Sequence, residues 1–187
     1  MSTVLTQGII LKIEHQGDYD RRYTIYTLDL GKITAIAKGA KKIVSKLSPH
    51  LGQFLIIDLM LANGQSCQRI AAAQVHKNYS AIKNDLPKII MALYFLETID
   101  LLIKYDYPDK AIFAMSNDFL FDLSISAHKE NNFLILNKYL YYLLKHLGYQ
   151  PILKAKNQKQ LIYDLHQLIL QTSEREVKSF GLLEKII

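Results

Sequence analysis

One cysteine, Cys67, stands in the 187 residues. That excludes an intrachain disulfide and any CxxC metal knuckle. The six histidines (15, 50, 76, 128, 146 and 166) never fall at HxxxH spacing, so no tetrahedral zinc set, and no metal or cofactor of any kind, is expected. Long apolar runs are missing as well. The greasiest stretch, 89–103, is interrupted by Glu97 and Asp100 and falls short of the roughly 20 apolar residues of a membrane span. The first fifteen residues lack a basic n-region and a long apolar core, so no signal peptide is expected. A soluble cytoplasmic protein that does not engage membranes is expected. No GxxxxGK[ST] phosphate cradle occurs. The pair Asp18/Asp20 lies in a turn beside Arg21 and Arg22 and reads as a surface feature, and Asp118/Asp122 has no histidine or third acid nearby in sequence. Ser45, Ser48 and His50 form no nucleophile arrangement, and Cys67 has no activating neighbour. No enzyme is expected.

The most informative absence is of acid. From Gly31 to Gly52 there is no Asp or Glu, while Lys32, Lys38, Lys41, Lys42 and Lys46 crowd the same stretch. Ammonium groups held this close repel one another, and a polyanion relieves the repulsion. The stretch reads as a nucleic-acid contact surface; the alternative is a solvated lysine-rich loop. The formal net charge is +6, and it is uneven: residues 1–80 hold ten Lys/Arg against five Asp/Glu, the remaining 107 hold 13 against 12. The electrostatic footprint lies in the N-terminal part.

That part reads as β-structure. Runs at 7–13, 23–28, 33–38, 54–62 and 65–75 alternate or are rich in β-branched and aromatic residues, and turn residues separate them. Asn63-Gly64 is the sequence signature of a two-residue type I′ hairpin, and Cys67 falls within the last run. Five strands with a long connection after the third fit a small closed OB-type barrel; SH3-like barrels give a similar strand count. From Tyr79 the texture turns helical, with segments at 89–104, 108–123, 131–147, 158–172 and 174–187. The third of these, with Phe, Leu, Ile or Tyr at most positions, is expected at the centre of the bundle. Gly148 and Pro151 terminate it. The expected organisation is α+β in two parts: a five-stranded OB-type β-barrel that binds nucleic acid over residues 1–78, and an all-α helical domain over 79–187.

Within the barrel the candidate nucleic-acid contacts are Arg21, Arg22, Lys32, Lys38, Lys41, Lys42 and Lys46, with Tyr26 as a base-stacking candidate. Strand alternation places Tyr23 and Ile25 on one face and Arg22, Thr24 and Tyr26 on the other. Ile25 marks its own face as the inner one, so Tyr26 is expected outside beside Arg22.

The residues then become recognisable. Gly8-Ile9-Ile10, Asp20-Arg21, Tyr23 to Thr27, Gly31-Lys32 and Lys38-Gly39-Ala40-Lys41-Lys42, followed by Ser45 and Leu47, resemble the N-terminal signature of the RecO family of bacterial recombination mediators. The likeness covers about 50 residues well. It continues in outline through Leu-Gly-Tyr-Gln-Pro at 147–151 and Ser-Phe-x-Leu-Leu at 179–183. The resemblance implies an OB-fold followed by a helical domain. It implies binding of single- and double-stranded DNA, annealing of complementary strands and, with the partner RecR, loading of RecA onto DNA coated by single-strand-binding protein (SSB). It also implies that the helical half receives the acidic C-terminal tail of SSB, for which Lys138 and Lys145, seven residues apart on one helical face, are the candidate cations. One departure is plain: where many family members carry a cysteine zinc ribbon, this chain has Lys154, Lys156 and Lys159 and no cysteine. The rival readings are a generic OB-fold RNA- or oligonucleotide-binding factor, and a protein-binding scaffold that has lost DNA binding.

Overall fold

The computed structural model describes residues 3–64, 67–151, 155 and 157–187. Five strands, β1 (Thr3–Gln16), β2 (Asp20–Thr27), β3 (Gly31–Ala37), β4 (Leu55–Ala62) and β5 (Gln68–Asn78), close into a barrel in the order β1-β2-β3-β5-β4. Every pairing is antiparallel except β3 with β5, which run parallel through Ala35↔Gln68 and Ile36↔Arg69. This is the expected OB-type arrangement, and the long connection after β3 is what lets β4 reach β1.

Closure depends on β1, which serves two neighbours. Its first half pairs with β4 and its second with β2, and Gly8 is partnered by both Ile57 and Thr27. A bulge between Ile10 and Lys12 bends the strand just beyond this point. A Cβ on Gly8 would lie 2.7 Å from Ile25 Cγ2 and from Leu59 Cδ1, so the barrel closes this tightly only over a residue without a side chain. The interior is filled by Ile10, Tyr23, Ile25, Ile33, Ala35, Ile57, Leu59 and Ile70. Each large aliphatic among them contributes about 1.5–3 kcal/mol on burial. The Tyr23/Ile25 face is the inner one, as alternation predicts. The β4–β5 connection is not the expected two-residue turn: pairing ends at Ala62↔Arg69, so the link is longer. Cys67 lies in that link, one residue before β5.

Two compact units result. The first holds the residues up to Tyr79 together with Ile103–Phe113; the second holds Ser80–Leu102 and Ala114–Ile187. The chain is therefore not cut once at 78/79, because Ile103–Phe113 returns to the barrel as a strap. Tyr105 forms a parallel bridge with Lys32, and the Asp106 N–H donates to the Lys32 carbonyl at 3.0 Å.

The second unit contains α1 (Leu86–Leu102), most of α2 (Lys110–Ile125), α3 (Lys129–His146), α4 (Gln158–Ser173) and the single turn α5 (Phe180–Leu183). Its central helix is α1, not the expected 131–147 segment. α1 packs against α3, α4 and α5 and buries Tyr94, Phe95, Leu96 and Ile99 completely. α3 keeps Leu134 and Tyr142 about half exposed. The expected helix over 174–187 is mostly not formed. Glu174 takes the left-handed conformation that ends α4. Glu97 of α1 then accepts the backbone N–H groups of Lys178 and Ser179, each at 2.9 Å, which fixes a turn in place of a continuous helix. Among the described residues no helix is long and apolar enough to cross a membrane.

Candidate nucleic-acid interface

Residues 38–51, between β3 and β4, are built from the inside outwards. Ala40 and Leu51 are buried in the barrel's own hydrophobic cluster, with Leu47 packed against it. These plugs fix the base of the loop. Gly39, at φ +67°, makes the exit from β3. Its N–H donates to Asp20 Oδ1 at 2.8 Å, the Lys41 N–H donates to the Tyr19 carbonyl at 2.9 Å, and the Lys41 ammonium donates to the Gly17 carbonyl at 2.8 Å. The loop is thus stitched to the β1–β2 turn. Asp20 works as an acceptor for that stitch. The spacing of Lys38-Gly39-Ala40-Lys41-Lys42 becomes physical: cation outward, turn, plug, stitch, cation outward.

Beyond the stitch the loop stands clear. Lys38, Lys42 and Lys46 are exposed. Lys42 Nζ lies 5.2 Å from the centroid of the Tyr19 ring, and Tyr19 is 59% exposed. Two successive turns, Lys42 N–H to Gly39 O at 3.0 Å and Ser45 N–H to Lys42 O at 2.9 Å, shape the tip. Arg22 is exposed on β2, its Nε donating to Gln16 Oε1 at 3.0 Å, and Arg21 is half-buried.

Two of the candidates belong elsewhere. Tyr26 does face away from the barrel interior, but it is fully buried. Its hydroxyl donates to the Asp109 carbonyl at 3.2 Å and accepts from the Asp109 N–H at 3.1 Å. Burial pushes its pKa up to about 12. No base reaches this ring. Lys32 is 5% exposed, with its ammonium 4.5 Å from the Tyr105 ring centroid. The strap covers both residues, and strand alternation cannot reveal a cover supplied from elsewhere in the chain. Tyr19, which the alternation did not select, is the exposed aromatic beside the cations. Ile43 and Val44, at the tip, were also missed. The available signal was two β-branched residues set between Lys42 and Lys46 without any strand to hold them.

In the helical unit the structure brings Lys138 to a hollow of about 280 Å³ lined by Leu134, Tyr141, Tyr142, Gln158 and Leu161. Lys145 is exposed but does not line it. Lys138 Nζ lies 3.4 Å from Asp122 Oδ2, and the Tyr139 hydroxyl donates to the same oxygen at 2.7 Å. Burial and this carboxylate both push the Tyr139 pKa up. Lys159 is exposed in the first turn of α4, while Lys154 and Lys156 lie outside the described residues. Among the described residues no three His, Cys, Asp or Glu side chains gather to hold a metal ion.

Two family models match, described as recombination protein O N terminal over residues 1–79 and recombination protein O C terminal over residues 83–161. Curated relatives are DNA repair protein RecO of Nostoc punctiforme, 32% identical over 118 residues (63% of this chain, 39% of that protein), and of Roseiflexus sp., 32% identical over 146 residues (78% and 50%). That of Caldanaerobacter subterraneus subsp. tengcongensis is 27% identical over 155 residues (83% and 62%). The chain thus spans between 39% and 62% of the length of these relatives.

Proposed function

The chain belongs to the RecO family of DNA repair proteins, and from that premise we propose that it is a non-enzymatic recombination mediator acting on DNA in the cytoplasm. The observation that carries the proposal is the uncovered basic loop. Lys38, Lys42 and Lys46 project from a rigidly stitched base with Arg22 on the neighbouring strand. No acidic residue intervenes between Asp29 and Asp58. These cations neutralise phosphates. Two strands held on such a surface repel one another less, so complementary bases meet more often and anneal without bond-making chemistry. Lys41 adds its charge to the field while its ammonium holds the β1–β2 turn.

The same family premise extends to partners. RecR is the proposed co-factor protein for loading the recombinase, and the acidic tail of SSB is the proposed ligand of the helical unit. For the tail the supporting feature is the hollow beside Lys138, which offers apolar walls and one rim cation, the pairing that a carboxylate-bearing apolar terminus requires. Lys145 is the weaker contributor, since it lies off the hollow.

The test is anisotropy titration of labelled single- and double-stranded DNA over a salt series. Four exposed cations correspond to a log–log slope of roughly −3 to −4. A slope near zero, or no binding at low salt, overturns the proposal and favours the scaffold reading. Annealing of SSB-coated complementary strands separates a mediator from a generic oligonucleotide binder.

A further inference from the structure

The tip of the basic loop is apolar. Ile43 is 104% exposed and Val44 85% exposed, more than any other large hydrophobic side chains among the described residues. They occupy the two central positions of the turn closed by Ser45 N–H to Lys42 O. Such positions ordinarily hold Gly, Pro, Asn, Asp or Ser, and β-branched residues there serve no folding need. Nor is the tip loose chain: the Gly39–Asp20 and Lys41–Gly17 bonds and the buried Ala40 and Leu51 fix its base. The fold thus carries two aliphatic side chains out into water from an anchored base, set in the chain between the exposed Lys42 and Lys46.

We propose that Ile43 and Val44 form a wedge that packs against unpaired bases of single-stranded DNA while the surrounding lysines hold the flanking phosphates. The inference rests on the DNA-binding reading above and adds to it a base-contacting element. Charge complementarity selects the occupant, because an apolar tip set between lysines, in a stretch with no acidic residue from Leu30 to Ile57, matches a polyanion that presents flat apolar faces between its charges. A folded protein partner fits poorly: two side chains cover far less than the roughly 800 Å² per partner of a stable protein interface. Single strands are favoured over duplex because insertion between paired bases has to break their stacking first.

The experiment compares a labelled oligothymidylate with an abasic strand of equal length, which has the same phosphates and no bases. Wild-type protein is expected to prefer the oligothymidylate by about tenfold. Ile43→Ser/Val44→Ser is expected to bind both strands alike, with its salt slope and melting temperature unchanged because both side chains are already in water. Because the chain has no tryptophan, Val44→Trp supplies a unique probe, whose fluorescence is expected to be quenched by the oligothymidylate and not by the abasic strand. Equal wild-type affinity for the two strands, or a tenfold preference retained in the serine variant, overturns the wedge and leaves phosphate binding standing. Absence of salt-dependent binding to either strand overturns the DNA-binding reading and the wedge with it.

Discussion

The strap at Ile103–Phe113 and the basic loop at 38–51 meet the same barrel with similar residues and opposite outcomes. Each places a lysine over a tyrosine: Lys32 over Tyr105 at 4.5 Å, Lys42 over Tyr19 at 5.2 Å. Lys32 is buried and Lys42 is exposed. The difference is backbone cover. The strap hydrogen-bonds to the Lys32 carbonyl and both donates to and accepts from the Tyr26 hydroxyl, so side chains that a strand pattern points outwards become interior. The loop is anchored only at its base and leaves its tip open. A cation beside an aromatic ring is therefore a structural element in one place and a candidate contact in the other, and composition does not distinguish them.

The comparison breaks most severely at Gly31. Its φ is +69°, and a Cβ there would collide with the backbone of Tyr107 and Pro108 in the strap. Gly31→Ala is expected to cost about 3–4 kcal/mol in urea denaturation, combining left-handed strain with displaced backbone. A loss below about 1 kcal/mol means that the strap yields easily and is not the cover described above.

Cover has a second signature in the helical unit. His166 is 5% exposed, its Nδ1 lies 3.0 Å from the Tyr94 hydroxyl and its ring stacks on Phe180 at 3.4 Å. Burial lowers its pKa to about 4, with Glu184 opposing the shift. The unfolded imidazole titrates near 6.5. Between these values the unfolded chain takes up a proton that the folded chain refuses. The contribution is fully present above about pH 6.5, declines as pH falls, and is gone once pH has passed through about 4. The expected loss is roughly 2–3 kcal/mol. His166→Gln is expected to flatten this limb of the stability profile; an unchanged limb assigns it to carboxylates instead.

Smaller is the effect of Tyr26→Phe, which removes the hydroxyl that both donates to and accepts from Asp109. The expected cost is about 1–2 kcal/mol, with DNA affinity unchanged. A drop in affinity at constant stability would return Tyr26 to the contact surface.

What the sequence made legible were the features whose cause is local. Alternation along 33–37 and the Tyr23/Ile25 pair is strand geometry, and it identified the barrel interior. Gly148 and Pro151 marked the end of α3 because termination is decided within a few residues. Tyr26 was misplaced because its partner Asp109 lies 83 residues away. The central helix was misjudged for a related reason. α1 is the more apolar helix, but Glu97 and Asp100 interrupt it in sequence; Glu97 instead captures Lys178 and Ser179, far along the chain, while α3 leaves Leu134 and Tyr142 open beside the hollow. In the candidate site, the lysines were legible as charge. Which of them are open was not, since that depends on the strap and on the stitch to Gly17.

The finest test of covered against open sets Lys42→Gln beside Lys32→Gln. Both remove one positive charge from the same barrel, so any effect of net charge alone is common to the two. If Lys42 releases a counterion on binding, its loss makes the log–log salt slope shallower by roughly 0.7–0.9, so the fall in affinity between about 50 and 200 mM salt is about threefold smaller than in the wild type. Stability should not change, because the exposed ammonium over Tyr19 is a surface contact of small energy. Lys32→Gln should do the reverse. The buried ammonium loses its place over Tyr105 and the strap loosens, so denaturation shifts while the slope stays at the wild-type value. Equal slopes for the two variants would show that the strap does not separate these lysines in solution, and that the barrel binds DNA through its overall field rather than through the loop.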